Sequence, residues 1–146
     1  MIILDTDVIA EMQKVDPDPN VIAWLDTLDS TTTYITAITV TELLLRIERL
    51  PSGKRRTALA EAVDRVINSD FKARILAFDA TSASIFGHLV AAAEGSGFAV
   101  GFSNGAVAAI ARANKFCTVA TRNETAFAAM RIETINPWAG RMQLPA

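Results

Sequence analysis

Carboxylates, carboxamides and hydroxyls recur in this 146-residue chain where short apolar runs end. Met1-Ile-Ile-Leu4 stops at Asp5-Thr6-Asp7, Tyr34-Ile35 at Thr36, the run to Phe78 at Asp79, and Cys117 to Ala120 at Thr121-Arg122-Asn123-Glu124. Glu42 and Asn104 fall early in two helical segments that open onto the same edge. This is mostly oxygen chemistry, of the kind that hard divalent ions such as Mg²⁺ or Mn²⁺ require.

Other chemistries are poorly served. His88 is the only histidine and Cys117 the only cysteine, so an HExxH zinc site, a Cys/His zinc cluster and a two-histidine nuclease are excluded, and no GxxxxGK[ST] phosphate loop is present. His88 lies mid-helix between Phe86 and Leu89-Val90 without a GxSxG context, which predicts a structural histidine on a helix rather than a base. Metal-assisted hydrolysis is the residual enzyme class. Asp5-x-Asp7 after an apolar strand also resembles the nucleophile motif of HAD-type phosphohydrolases, with Thr36 as the hydroxyl motif, but no acidic pair follows a late strand.

The elements that must position these residues alternate. Apolar runs predict strands at Met1–Leu4, Tyr34–Thr36, Arg74–Phe78, Cys117–Ala120 (the apolar stretch begins at Phe116) and Arg131–Ile135. Amphipathic spacing predicts helices over Val8–Met12, Val21–Leu28, Thr39–Leu50, Lys54–Ile67, Thr81–Ala93, Asn104–Ala113 and Glu124–Met130, followed by Asn136-Pro137-Trp138 and a polar tail. Such alternation implies one α/β domain over residues 1–146, with helices on both faces of a mostly parallel sheet of about five strands. Ligands in such folds collect beyond the carboxyl ends of the strands.

Hydrophobic residues make up 51% and charged residues 21%, which is globular composition, and 14 Lys plus Arg against 16 Asp plus Glu leave no global basic field to draw the chain to a polyanion. Local basic candidates are Lys54-Arg55-Arg56 with Arg46 and Arg49, and, nearer the presumed site, Arg122 and Arg112. Trp24, Phe86, Phe98 and Phe102 are expected in a core or interface. The lone Cys117, the short apolar start and the absence of a long apolar stretch predict a soluble cytoplasmic protein with no membrane association.

Each candidate also has a plainer structural reading. Asp5 can cap the helix that follows, Thr39-x-x-Glu42 reads as a capping box, Ser103 or Asn104 can cap the helix they begin, Asn123 with Glu124 can start the last helix, and Asp79 before Thr81-Ser82 is a cap.

Four segments in order carry a resemblance over nearly the whole chain: Ile2-Ile-Leu-Asp5-Thr6-Asp7-Val-Ile9, Ile38-Thr-Val-Thr-Glu42-Leu-Leu-Leu45, Gly101-Phe-Ser-Asn104 before Ala108-Ala-Ile-Ala111, and Thr118-Val-Ala-Thr121-Arg122-Asn123 followed by Ile135-Asn-Pro-Trp138. The sequence resembles the PIN-domain ribonucleases and, among them, the VapC and FitB-like toxins of bacterial toxin–antitoxin pairs. The resemblance implies a PIN-like three-layer α/β/α sandwich in which acidic residues hold Mg²⁺ or Mn²⁺ for hydrolysis of RNA phosphodiesters. It implies Asp5 as the central ligand and Glu42 as the second, with Thr6 and Thr121 orienting ligands or phosphate, and Asp7, Arg122 and Asn123 in positioning or RNA-binding roles. It further implies a homodimer and a VapB-like antitoxin whose C-terminal segment crosses the cleft.

Two positions depart from the family pattern. Its third acid corresponds to Asn104, and its fourth falls at Asn123 or Ala126, with Glu124 the only acid in that segment. A carboxamide keeps one oxygen but loses a full charge, so weakened metal binding is expected unless Asp7 or Glu124 compensates. A catalytically inactive PIN domain that only binds partners is the alternative.

Overall fold

Alternation of side chains between two apolar clusters along very short strands sets the layering. In the computed structural model, which describes residues 1–115 and 117–140, strands β1 (Ile2–Leu4), β2 (Thr33–Thr36), β3 (Ile75–Leu76), β4 (Thr118–Ala120) and β5 (Thr134–Ile135) form a sheet in the order β3-β2-β1-β4-β5. Every pairing is parallel, with Ile3 opposite Tyr34 and Val119 and Leu4 opposite Ala120. Ile3 and Val119 enter one apolar cluster and Leu4, Ile35 and Ala120 the other, as the alternation of side chains across a pleat demands.

Seven α-helices among the described residues cover the two faces: α1 (Thr6–Met12), α2 (Pro19–Leu25), α3 (Ala37–Arg49), α4 (Lys54–Arg65), α5 (Ala80–Gly95), α6 (Phe102–Ala113) and α7 (Glu124–Ala129). Val8, Ile9, Val21, Leu43, Ile47 and Val63 bring α1 to α4 onto the Leu4 face. Leu89, Val107, Ile110 and Phe127 bring α5, α6 and α7 onto the Ile3 face. Side chains such as Phe127, Ile110 and Leu43 are fully buried, each stabilising the fold by about 1.5–3 kcal/mol relative to exposure. The expected α/β/α sandwich with a parallel sheet of five strands is what forms.

Several boundaries differ from the sequence expectation. β3 and β5 are two residues long rather than five, because residues expected in them are used by neighbouring turns: Arg131 adopts φ 56° and Ile132 donates its N–H back to the Phe127 carbonyl to close α7. α2 starts at Pro19, with Asp18 as cap accepting from the Asn20 N–H. α4 passes into a wider π-type turn at Val66–Asp70. Phe116 and the end of the polar tail lie outside the described residues.

Gly105 sets how closely α6 rides on α5. A Cβ at this position would stand 2.6 Å from Phe86 Cε2 and 2.9 Å from Val90 Cγ2, so the absence of a side chain lets the helices meet. This contact fixes the first turn of α6, which carries Asn104.

Candidate functional site

From β1 the chain builds outward to β2 and β3, then returns past β1 to lay down β4 and β5 on its other side. The crevice between the carboxyl ends of β1 and β4 is therefore the topological switch point, where an open α/β sheet binds ligands. A hollow of about 370 Å³ lies there, walled by Asp5, Thr6, Asp7, Ala10, Glu42, Arg46, Asn104 and Asn123.

Each wall residue is delivered by an element end. Asp5 follows β1 and caps α1: its Oδ1 accepts from the Thr6 N–H at 2.9 Å. Its other oxygen accepts from the Thr121 hydroxyl, one residue past β4, at 3.0 Å. The same hydroxyl, which has a single proton, stands 3.3 Å from Asp7 Oδ2 and itself accepts from the Asn123 N–H at 3.0 Å. Asp7 Oδ2 also takes the Arg122 N–H at 2.7 Å, while Asp7 Oδ1 is buried with no partner. The Thr6 hydroxyl donates to Glu42 Oε1 at 3.0 Å and lies 3.2 Å from the Thr39 hydroxyl.

The electrostatics are those of crowded, partly dried acids. Burial first, then the negative charge of Asp7, and more weakly that of Glu42, push the Asp5 carboxyl from 3.8 up to about 6, against the hydrogen bonds from Thr6 and Thr121 that favour its ionised form. Burial also raises Asp7, opposed by the N–H groups of Arg122 and Val8. An unpaired buried carboxylate oxygen and a strained neighbouring acid are what a cation would relieve, and an oxygen-only donor set suits a hard one. Among the described residues no group of three His, Cys, Asp or Glu side chains is gathered tightly enough to enclose an ion, so the donors are of the right type in an open arrangement.

Two of the plainer structural readings are corrected here. Thr39-x-x-Glu42 is not a capping box: α3 begins a turn earlier, with Thr36 Oγ1 accepting from the Thr39 N–H at 3.2 Å, which leaves Glu42 on the helix side and turned to the hollow. Neither Ser103 nor Asn104 caps α6. That helix starts at Phe102 after Gly101 without a side-chain cap, so the Asn104 carboxamide is left to line the hollow. Asn123 stands at the cap position of α7 yet makes no cap hydrogen bond, and it too lines the hollow. Asp5 combines cap and site, one oxygen for each. Asp79 does cap α5, accepting from the Ser82 N–H at 2.9 Å.

Other candidates sit elsewhere. Glu124 is exposed at the first position of α7 and is not part of the wall, and His88 is exposed on α5. The Arg122 guanidinium stacks 4.0 Å over the Trp138 ring and lies 3.8 Å from Glu11, so only its main chain reaches Asp7. Arg112 donates to the carbonyls of Met130 and Arg131 at the end of α7. Phe86, Phe98 and Trp24 are half-buried, whereas Phe102 is 61% exposed and leans on Phe78 and Phe86.

Two residues carry more than sequence reasoning assigned them. Arg46, which composition groups with the α4 basic run, is the cation in the wall; the signal for it is its place four residues after Glu42, on the same helix face. Glu11 belongs to no motif in the sequence. Its buried carboxylate accepts from Lys14 Nζ at 2.7 Å and the Asp18 N–H at 2.8 Å, tying α1 to the start of α2.

Comparison with known proteins supplies the family. The family model described as PIN domain matches residues 2–133. A VapC ribonuclease of Sinorhizobium fredii is 40% identical over 138 residues, covering 94% of this chain and 98% of that protein. Toxin FitB of Neisseria gonorrhoeae is 38% identical over the same length, covering 94% and 99%. In the crystal structure of FitAcB from Neisseria gonorrhoeae, a chain 38% identical superposes with a TM-score of 0.88, covering 94% of this chain and 99% of that one. With an acidic hollow at the β1/β4 switch point and relatives matched across nearly their full length, the chain belongs to the PIN-domain family, beside the VapC and FitB toxins.

Proposed function

We propose that this protein is the toxin of a cytoplasmic toxin–antitoxin pair and that it acts as a Mg²⁺- or Mn²⁺-dependent endoribonuclease. The observation that carries the reading is the convergence of Asp5, Asp7, Glu42 and Asn104 on one hollow at the switch point. The ribonuclease name of the Sinorhizobium fredii relative and the FitAcB structure support the activity class and an antitoxin partner.

Bound metal would supply Lewis acidity to water and neutralise charge on the phosphate. The residues that would hold it are Asp5, Asp7, Glu42 and Asn104. Thr121 presents the Asp5 and Asp7 oxygens on one side, and Thr6 presents Glu42 on the other. Because Glu124 stands outside the wall, the acid that offsets the charge missing at Asn104 is Asp7, whose Oδ1 is uncommitted. Asn123 and Arg46 line the rim, where a phosphate group would pass. The acidic hollow also suits an antitoxin guanidinium, and the Ala-rich outer side of α5 suits packing between two copies.

The test is cleavage of a structured RNA in Mg²⁺ or Mn²⁺, together with metal titration by calorimetry. Cleavage that disappears in EDTA and in Asp5→Ala supports the reading. A protein that neither binds metal nor cuts RNA, while still binding its antitoxin, is a binding module instead.

A further inference from the structure

A second concavity opens beside the acidic hollow, between α1, α3 and α4, with a volume of about 520 Å³. Lys14, Arg46, Arg49 and Arg55 line it, and no acidic residue does. Ala10 and Arg46 belong to the walls of both concavities, so the cationic groove is continuous with the anionic hollow. Lys14 is paired with Glu11, and neighbouring Arg56 with Glu48, but Arg46, Arg49 and Arg55 have no acidic partner within 4 Å among the described residues. Arg46 and Arg49, three residues apart on α3, share a helix face. Gln13 also lines the groove, and both the nitrogen and the oxygen of its carboxamide are buried without a hydrogen-bond partner.

We infer that this groove holds the single-stranded RNA flank of the substrate, with Arg46, Arg49 and Arg55 on successive phosphates and the Gln13 carboxamide on the edge of a base next to the cut. The inference rests on the nuclease reading for where the strand ends. A polyanion entering a hollow lined by Asp5, Asp7 and Glu42 is repelled by them, and three unneutralised guanidiniums at its mouth offset that repulsion. An unstacked base presents a donor beside an acceptor, which matches the two unmet needs of Gln13. Leu50 and Leu59 in the wall give the base an apolar surface to lie against.

The test is the affinity of the protein for a fluorescein-labelled twelve-nucleotide single-stranded RNA, read by anisotropy in EDTA over a range of salt. Arg49→Glu with Arg55→Glu is expected to weaken binding about tenfold or more and to flatten the log–log salt slope by about 1.4, since each single-strand phosphate contact contributes about 0.7. Gln13→Ala is expected to weaken it about threefold to tenfold with the slope unchanged. Should charge reversal impair folding, Arg49→Gln with Arg55→Gln carries the same comparison. Unchanged affinity and slope in the folded double variants overturns the inference. So does a groove that binds an oligoglutamate peptide through Arg49 and Arg55 while RNA binding is untouched, because the occupant is then a protein partner. Metal is absent from this assay, so a protein that binds RNA through the groove but never cuts it in Mn²⁺ keeps the inference and loses the nuclease reading. A protein that cuts, and whose groove variants bind and cut like the parent, does the reverse.

Discussion

The hydroxyl of Thr121 lies 3.0 Å from Oδ2 of Asp5, although 116 residues separate them in the chain. Because β4 pairs beside β1 in parallel register, the residue after each strand emerges at the same edge, and one hydroxyl proton is shared between Asp5 and Asp7. Thr121 is fully buried, so this bond is shielded from water. Thr121→Val keeps the shape but leaves both acids and the Asn123 N–H short of a partner. It is expected to destabilise the fold by about 1–3 kcal/mol in urea titrations and to weaken Mn²⁺ binding. A variant with unchanged midpoint and metal affinity would show that the hydroxyl does not organise the site.

Asp5 gives a pH signature. Its carboxyl is raised in the folded protein, so the folded state holds the proton more tightly, and the stability this provides is complete below about pH 4 and lost as pH rises through about 6. Asp5→Asn removes the ionisation while keeping one oxygen for the Thr6 N–H. In EDTA, the unfolding free energy of Asp5→Asn relative to the parent is expected to rise by on the order of 2–3 kcal/mol between pH 4 and pH 7. A difference that stays flat across that window contradicts the burial of an ionised Asp5.

Asn104→Asp adds a carboxylate to the wall that Asp5 also lines. Calorimetry should show Mn²⁺ bound about tenfold more tightly, and RNA cleavage should rise in parallel and vanish when Asp5→Ala is added. Stability without metal should fall, since a fourth negative charge joins Asp5, Asp7 and Glu42. Unchanged Mn²⁺ affinity and unchanged cleavage in the folded variant would place position 104 outside the metal site.

At Gly105 two effects compete. Alanine gains up to about 1 kcal/mol of helix propensity, but its Cβ would press on Phe86 and Val90 at 2.6 and 2.9 Å. Overpacking of this kind typically costs about 1–3 kcal/mol, so Gly105→Ala is expected to lower the thermal midpoint, and Gly105→Val to lower it further. A rise in midpoint would mean that Phe86 simply swings aside.

Arg122 separates main chain from side chain. Its N–H holds Asp7, whereas its guanidinium stacks on Trp138. Arg122→Ala retains the first and loses the second, and because the side chain is more than half exposed the expected loss of stability is only about 0.5–1 kcal/mol. RNA cleavage should change less than about twofold; a loss of tenfold in RNA affinity would show that the guanidinium leaves Trp138 for the substrate.

Strand and helix order, the parallel sheet and the clustering of Asp5, Glu42 and Asn104 were legible in the amino-acid sequence, because apolar period and the polar residue after each strand are local signals that fold topology reads directly. The sequence also carried the family resemblance through Asp5-Thr6-Asp7, Glu42 and Thr121. What local signals could not decide was how side-chain oxygens are allocated. Glu42 and Asn104 both fit a capping role by spacing, and only the true starts of α3 at Ala37 and α6 at Phe102, set by packing on the sheet and on α5 through Gly105, freed them for the hollow. Likewise, nothing in the order of residues says that Arg122 turns to Trp138 while Arg46 faces the acids. Those choices depend on contacts between segments more than fifteen residues apart, and such contacts exist only once the two layers of helices have closed on the sheet.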